Sequence, residues 1–370
     1  MTAVPAPGAD VPFGRFFLPG PTEVHPDILQ AMTRPMIPHR GAEMVDLFRS
    51  IEQPLQRLWR TDRRVFVGTC SGTGFMEMAV RSGVRRRALS LVGGAFGERF
   101  AGIVAATGRD MIRLDVPLGK TVEPDMLRDA LKRSDVDAVT LVHSETSTGA
   151  LAPLEPLAAV VREFEDVVLL VDAVTSCAGS PVETDGWQLD FVFTGSQKAL
   201  GLPPGLALGV ASERMLERAK RVPERGAYLD VLSFNRAAVD YQPTNTPALS
   251  LLFALETQLA RMDRAGGVEA RWARHDKMRR VVEEWVARRG SKFGITYLPS
   301  DGRRSWTVSC LKLPPHLNGR TIARTLKTKG WIIGSGYGPL KQSTIRIGHM
   351  GDHTPDGVSA LLDQLETTLT

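Results

Sequence analysis

Cysteine is scarce in this chain. Its 370 residues include three cysteines, Cys70, Cys177 and Cys310, which are far apart and odd in number. They cannot form a disulfide framework, and no CxxC pair or Cys/His cluster predicts a metal site. This usage fits a reducing compartment, so we expect a cytoplasmic protein.

Targeting and membrane signals are also missing. The first residues, MTAVPAPGADVPFGRF, lack the charged-then-apolar order of a signal peptide, and no apolar run approaches membrane-spanning length. The net charge is +5, but the arginines are dispersed and form neither a basic tail nor an aromatic-studded basic stripe. We therefore expect neither nucleic acid nor membrane as a partner, whereas small acidic ligands suit such a surface.

What the chain does contain is a long alternation of short apolar runs and amphipathic segments. Several runs are apolar almost throughout, which is typical of strands covered on both faces. Amphipathic segments such as 123–133 and 154–165 lie between them, and this alternation indicates a largely parallel sheet flanked by helices. The predicted strands are residues 64–68, 88–92, 111–114, 138–143, 167–172, 191–195 and 207–211.

The pattern changes near Pro247. Residues 247–265 are predicted as a long helix that ends at paired glycines, and another helix follows around 268–289. The remainder has an α+β pattern, with predicted strands at 306–313, 331–335 and 344–347 and helices at 320–329 and from about 355. We predict a flexible N-terminal arm over 1–14, a large domain over 15–250 and a small C-terminal domain over 251–370.

Candidate functional residues follow the predicted strands, because ligands of open parallel sheets bind at the carboxyl ends of the strands. VGTCSGTGFME, residues 67–77, runs from a strand through a glycine-rich turn into a helix. The first N–H groups of that helix could hold a phosphate together with the hydroxyls of Ser71 and Thr73, although a simple tight turn would look the same. Asp172 ends the run LLVD, where it either caps the next helix or pairs with a protonated ring nitrogen.

Lys198 follows the next predicted strand, in TGSQKALGLPPG, residues 194–205. A lysine beyond a strand is usually exposed, but a partly desolvated one has a lowered pKa and attacks carbonyls. A phosphate loop, a carboxylate and a lysine on strand ends together meet the needs of pyridoxal phosphate (PLP). This cofactor requires an anion site, a partner for its pyridinium nitrogen and an amine that forms a Schiff base.

With these residues in place, the chain resembles the class V aminotransferases among the fold-type I PLP enzymes, in particular the alanine–glyoxylate / serine–pyruvate branch. The resemblance runs from Phe17 to the C-terminal helix. It implies an α/β fold of the PLP-transferase type, with a mainly parallel seven-stranded sheet in the large domain and a smaller C-terminal α+β domain. The motifs that carry it are LPGPTEVHPDIL (18–29), PHR (38–40), SGTG (71–74), FGER (96–99), HSETSTG (143–149), LLVDAVTS (169–176), GSQKALGLPPG (195–205), PTNTP (243–247) and IRIGHMG (345–351).

The resemblance assigns roles to individual positions. Lys198 matches the Schiff-base lysine, and Asp172 matches the partner of the pyridine nitrogen. Val174 matches the apolar residue beneath the ring, and Thr146 the hydroxyl residue near O3′. Phe96 stands where this branch commonly stacks a tryptophan, a change that keeps the stacking and removes the indole N–H. The residues that match the phosphate cup are Ser71, Gly72, Thr73 and Gln197.

Further resemblances concern the second subunit and the substrate. PTNTP resembles the segment that crosses from a partner subunit to the phosphate, which implies a homodimer with active sites at its interface. The segment carries one residue more than better-known members, so Thr244, Asn245 and Thr246 all stay candidates for that contact, with Thr246 as the first choice. Arg346 matches the arginine that binds the substrate carboxylate, with a structural salt bridge as the alternative, and Gly20 lies in the opposite wall of the pocket.

The implied reaction moves an amino group from alanine or serine to glyoxylate or pyruvate through Lys198. An aspartate-type aminotransferase of the same class is the alternative. A PLP-dependent lyase or cysteine desulfurase is less favoured, because Gln197 occupies the position where a histidine normally precedes the lysine and Cys310 lies in a strand-like run. A non-catalytic relative would be expected to lose Lys198, Asp172 or Arg346, and the chain has all three.

Overall fold

A computed structural model describes residues 12–370, so most of the arm predicted over 1–14 lies outside the described residues. The strands are β1 (Phe16–Phe17), β2 (Val65–Gly68), β3 (Arg87–Val92), β4 (Asp110–Asp115), β5 (Ala138–Val142), β6 (Ser144–Glu145), β7 (Ala150–Leu151), β8 (Val168–Asp172), β9 (Phe191–Gly195), β10 (Ala207–Ala211), β11 (Thr296–Tyr297), β12 (Val308–Lys312), β13 (Ile332–Ser335) and β14 (Thr344–Gly348). The helices are α1 (Pro26–Ala31), α2 (Ala42–Trp59), α3 (Gly72–Gly83), α4 (Ala95–Ala106), α5 (Pro124–Lys132), α6 (Leu154–Arg162), α7 (Glu213–Lys220), α8 (Val231–Val239), α9 (Leu249–Arg264), α10 (Gly267–Arg288), α11 (Gly319–Thr328) and α12 (Pro355–Leu369).

The larger sheet has seven strands in the order β2-β10-β9-β8-β5-β3-β4. Strands β4, β3, β5, β8 and β9 pair in parallel, whereas β10 runs antiparallel to both β9 and β2. All seven strands predicted for the large domain are present, with ends that agree to within one residue. The predicted α/β class with a mostly parallel central sheet is therefore confirmed.

Burial explains why these strands could be recognised. Strands β5, β8, β9 and β10 are buried along their whole length, as their almost continuous apolar character predicts. One face of the sheet packs against α3 and α4, where the rings of Phe100 and Phe193 meet edge to face at 5.9 Å between centroids. The rigid sheet edge that results holds the loops after β8 and β9 in place.

The smaller sheet has the order β1-β13-β14-β12-β11, and α10, α11 and α12 pack against it. Its first strand, β1, comes from the start of the described chain and pairs in parallel with β13. Strand β1 was not predicted from the sequence, because two residues are too few to show a period. The predicted domain limits at 15, 250 and 251 stay predictions.

Within residues 12–370, no helix combines the length and the apolar character needed to cross a membrane.

Candidate active site

A cavity of about 290 Å³ opens at the carboxyl ends of β2, β8 and β9 and at the start of α3. The neighbouring parallel strands β8 and β9 end side by side, with Asp172 opposite Phe193, so the loops that follow them meet at one edge. The lining residues are Gly20, Pro21, Ser71, Gly72, Thr73, Met76, Phe96, Arg99, Val142, Ser144, Thr146, Asp172, Val174, Thr175, Gln197, Lys198 and Tyr337.

Lys198 is buried at the wall of this cavity, with 6% of its surface exposed. Its Nζ donates a hydrogen bond to the Pro19 carbonyl oxygen. Burial, reinforced by the positive charge of Arg346, lowers the pKa of Lys198 to about 8, although Asp172 and Glu145 oppose the shift. The amine therefore has a substantial neutral fraction near neutral pH, which is what a nucleophile for carbonyls requires.

Asp172 ends β8 and is 3% exposed. Its Oδ1 accepts a hydrogen bond from the Val174 N–H at 2.7 Å. Burial raises the pKa of this carboxyl to about 7, with a further rise from Glu145, and the Val174 N–H and Lys198 limit the shift. A cation beside this buried carboxyl would stabilise its ionised form, because the cation replaces interactions that the charge lost on leaving water.

The start of α3 forms the anion-compatible end of the cavity. Ser71 is the N-cap residue, but its hydroxyl makes no capping hydrogen bond and is free for another acceptor or donor. A Cβ on Gly72 would lie 2.7 Å from a Val174 methyl group, so glycine is required for the close approach of the helix start to the loop after β8. The helix dipole and the first N–H groups favour an anion here.

Phe96 and Arg99 lie one turn apart on α4 and both face the cavity. The Lys198 Nζ lies 5.9 Å from the centroid of the Phe96 ring. The Arg99 guanidinium lies over the same ring at 4.8 Å, and its Nη1 is 3.4 Å from the Thr73 hydroxyl. Arg99 is exposed and forms no ion pair with any carboxylate of the described residues.

Glu145 fixes the position of α4 although it does not line the cavity. Its Oε2 accepts from the Phe96 and Gly97 N–H groups at 3.0 and 3.1 Å, which caps the helix start. Its Oε1 accepts from the N–H of Ser147 at 3.0 Å and from the hydroxyl of the same residue at 2.5 Å. The buried carboxylate thus joins the HSETSTG loop to the helix that carries the Phe96 ring.

Thr146 and Arg346 connect the two sheets near the cavity. The Thr146 hydroxyl lies 2.5 Å from the Thr175 hydroxyl, and its carbonyl accepts from Arg346 Nη1 at 3.2 Å. Arg346, on β14, also donates from Nε to the Ser335 carbonyl at 3.0 Å, and burial lowers its pKa. Its charge lowers the pKa of Lys198, and it forms no ion pair within residues 12–370, so the structure does not contain the salt bridge that was the alternative to substrate binding.

Of the remaining predicted site residues, Gly20 lies in the cavity, whereas residues 244–246 lie outside it. Gly20 touches Lys198 so closely that an added Cβ would overlap the lysine side chain. Thr244 is half-buried, Asn245 and Thr246 are exposed, and none of the three lines the cavity of its own chain. The Asn245 amide instead lies 3.4 Å from the Thr244 hydroxyl.

Sequence reasoning missed several residues of the cavity, chiefly Arg99, Ser144, Thr175 and Met76. Arg99 belongs to the FGER motif and lies three residues after Phe96, and this helical spacing was the signal that could have revealed it. Ser144 and Thr175 left no such signal, because small polar residues are common throughout the chain.

Comparison with known proteins places these features in a family. The pattern of the family described as aminotransferase class-V matches residues 103–361. An uncharacterized aminotransferase of Methanocaldococcus jannaschii is 35% identical, over 95% of this chain and 91% of that protein. The solved alanine–glyoxylate aminotransferase of Nostoc sp. is similar with a TM-score of 0.91 and 29% identity, over 100% of this chain and 98% of that one. The solved subgroup IV aspartate aminotransferase of Thermus thermophilus is similar with a TM-score of 0.87 and 30% identity, over 96% and 100%.

Proposed function

The chain belongs to the class V aminotransferases and is a PLP-dependent transaminase, and from this premise we propose that it moves an amino group from alanine or serine to glyoxylate or pyruvate. The observation that carries the proposal is the meeting of a buried lysine, a buried aspartate and a free helix start in one cavity. That cavity has about 290 Å³ of space, which suits a cofactor with a small substrate.

The residues present fit PLP by the chemistry of their polar groups. We propose that Lys198 holds the cofactor covalently, that Asp172 faces its ring nitrogen and that the start of α3 takes its phosphate. Asp172 is a buried carboxyl with a raised pKa, and a ring N–H⁺ is the kind of partner that would stabilise its charge. Val174 and Phe96 would lie against the two ring faces and Thr146 near O3′. The phosphate ligands would be Ser71, Gly72, Thr73 and Gln197.

Bound PLP would withdraw electrons from the Cα of the amino acid and so make its Cα–H bond acidic. The amine of Lys198, once free, is the base that would take this proton, and its lowered pKa leaves it partly neutral near pH 7. Asp172 would keep positive charge on the ring nitrogen. Arg346 would orient the substrate carboxylate through its planar fork of donors, since its guanidinium has no carboxylate partner within residues 12–370.

We further propose a homodimer in which each active site borrows a residue from the other subunit. The segment 243–247 supports this, because Thr246 is exposed and lies outside the cavity of its own chain. Thr246, or failing that Thr244 or Asn245, would reach the partner's phosphate site. A cytoplasmic location stays a prediction from the sequence.

An aspartate donor is the second candidate, and Arg99 is the observation that favours it. This exposed guanidinium lines the cavity and pairs with no carboxylate of residues 12–370, so it could meet a side-chain carboxylate of the substrate. The likeness to the Thermus thermophilus aspartate aminotransferase points in the same direction. The cysteine desulfurase alternative is not favoured, because Cys310 is fully buried in β12 and burial raises its thiol pKa to about 11.

Half-reaction spectra of the purified protein test the proposal. We expect a yellow protein whose visible absorbance changes on addition of L-alanine or L-serine and returns on addition of glyoxylate or pyruvate. A stronger response to L-aspartate would favour the second candidate. A colourless protein that does not change when PLP is added would contradict both.

A further inference from the structure

A second cavity, of about 360 Å³, lies between α1, the junction of α9 and α10, and the loop after β14. Its charged lining consists of Arg261, Arg264, Arg271, Arg274, Asp27 and Asp352. Four formal positive charges minus two negative ones leave a surplus of two positive charges. We call it the arginine cavity. None of its lining residues belongs to the catalytic cavity.

Both carboxylates of the arginine cavity pair with arginines, but they are too few to neutralise its positive charge. Asp352 accepts from Arg271 Nη1 at 2.9 Å and lies 3.5 Å from Arg274 Nη2. Burial alone would raise the pKa of Asp352, but Arg271, Gln258 and Arg274 outweigh it and hold the pKa at about 2, so the group is ionised at neutral pH. Asp27 pairs with Arg261.

Arg264 has no such partner. It is exposed, donates from Nε to the Ala260 carbonyl of its own helix at 3.3 Å, and pairs with no carboxylate of residues 12–370.

Two buried donors of the cavity also lack acceptors. The Nε atoms of Arg261 and Arg274 are both buried, and neither finds a hydrogen-bond partner among the described residues. A buried guanidinium N–H without an acceptor is costly, so the positive charge of these two side chains is incompletely compensated within the described residues. Burial, together with the positive charges of Arg271 and Arg261, lowers the pKa of Arg274 to about 10, and Asp352 offsets this shift only in part.

The arginines are held in place by backbone carbonyls. Arg271 donates from Nε and Nη2 to the Ala199 carbonyl at 3.1 and 2.6 Å, and Arg274 donates from Nη2 to the Gly351 carbonyl at 2.8 Å. Donors fixed in this way lose little conformational entropy when they bind a ligand. Ala199 follows Lys198 directly, so Arg271 lines the arginine cavity and also contacts the loop of the catalytic lysine.

We propose that the arginine cavity binds a small dianion with carboxylate or phosphate oxygens, and that the bound anion acts on the Lys198 loop through Arg271. The surplus of two positive charges sets the charge of the ligand, and the exposed guanidinium of Arg264, which pairs with no carboxylate of residues 12–370, favours oxygen acceptors. The volume suits a small metabolite. The second half of the proposal rests on the assignment of Lys198 under the proposed function, whereas the first half does not.

The test is calorimetric titration of the PLP-loaded enzyme with inorganic phosphate in one arm and succinate in the other. The loaded enzyme is used because the phosphate of PLP then occupies the cofactor's own anion site. Arg264→Gln removes a charge from the cavity without breaking an ion pair, and Arg324→Gln on α11 removes one elsewhere as the matched control. We expect Arg264→Gln to weaken binding about tenfold or more, and Arg324→Gln to leave it within about twofold.

A second variant adds a negative charge to the arginine cavity. Ala270→Glu would place a carboxylate in the cavity from an exposed lining position, and we expect it to abolish the Arg264-dependent binding. Binding of phosphate alone would identify phosphate esters as the ligand class, and binding of succinate alone would identify dicarboxylates. Dissociation constants equal in the wild type and Arg264→Gln, or weaker than about 10 mM for both anions, would overturn the proposal.

The link to Lys198 has its own readout, the pH midpoint of the visible absorbance. We expect a saturating anion to shift this midpoint in the wild type and not in Arg264→Gln. Arg264-dependent binding without such a shift would overturn the link and leave the site standing. Since binding heat needs no turnover, an inactive enzyme that binds the anion would separate failure of the proposed function from failure of this site.

Discussion

The two cavities use charge in opposite ways. In the catalytic cavity, Lys198 and Asp172 are buried, and burial moves both pKa values toward neutrality, to about 8 and about 7. In the arginine cavity, charges are more numerous and fixed, and Asp352 stays ionised with a pKa of about 2. Burial of a few opposed charges prepares groups to exchange protons, whereas a surplus of positive charges favours the binding of an anion.

The largest expected effect is that of Lys198→Ala. Without the amine, the substrate Cα proton has no base, so we expect transamination to fall by at least about 10⁴-fold. Single-turnover absorbance with L-alanine measures it. Lys220→Ala is the matched control, because that lysine is exposed and lies on α7. Activity of Lys198→Ala close to that of the control would refute the assignment.

Asp172→Asn should come next. The amide keeps the shape and can still accept from the Val174 N–H, but it carries no charge to hold a ring nitrogen protonated. We expect kcat to fall about 10²- to 10³-fold, together with weaker PLP retention on dialysis. Asp166→Asn, at an exposed position, should change neither quantity. An unchanged kcat in Asp172→Asn would show that the charge of this buried carboxyl takes no part in the reaction, which would contradict the contrast drawn between the two cavities.

The pH dependence of the Lys198 amine tests whether burial in the catalytic cavity lowers its pKa. Burial lowers its pKa to about 8, so the neutral, reactive fraction should rise about tenfold per pH unit up to that midpoint and level off above it. The rate at which apoenzyme takes up PLP, followed by absorbance between pH 6 and 10, measures this fraction. A midpoint near the ordinary value for lysine, about 10.4, would show that burial does not tune the amine.

The smallest expected effect concerns Arg99. If it meets a side-chain carboxylate, Arg99→Gln should lower kcat/KM for L-aspartate about three- to tenfold more than for L-alanine. Equal losses of kcat/KM for both substrates would indicate that Arg99 acts in the same way with all donors, for example by helping to bind the phosphate of the cofactor. Arg264→Gln should leave both values within about twofold in the absence of added anion, which sharpens the distinction between the cavities.

Much of the fold could be predicted because its signals are local. Strand β8 appears as an apolar run that ends in Asp172, and β9 begins with the apolar residues 191–193 and leads to Lys198. Parallel strands bring their carboxyl ends to one edge, so the order of these residues along the chain already predicted that they meet. The two-residue strand β1 and the hairpin of β6 and β7 were missed, since they are too short to show a period.

The sequence alone therefore determined the α/β class, the family and the lysine, aspartate and glycine-rich turn that meet at the sheet edge. Only the tertiary structure decided that Arg99 lines the cavity, that Glu145 caps α4, and that Arg271 reaches Asp352 across 81 residues of chain. The physical reason is that periodicity records which face of an element is buried. The partner of a charged side chain depends instead on how distant elements pack. The residues next to an arginine in the sequence do not indicate which carboxylate it will pair with.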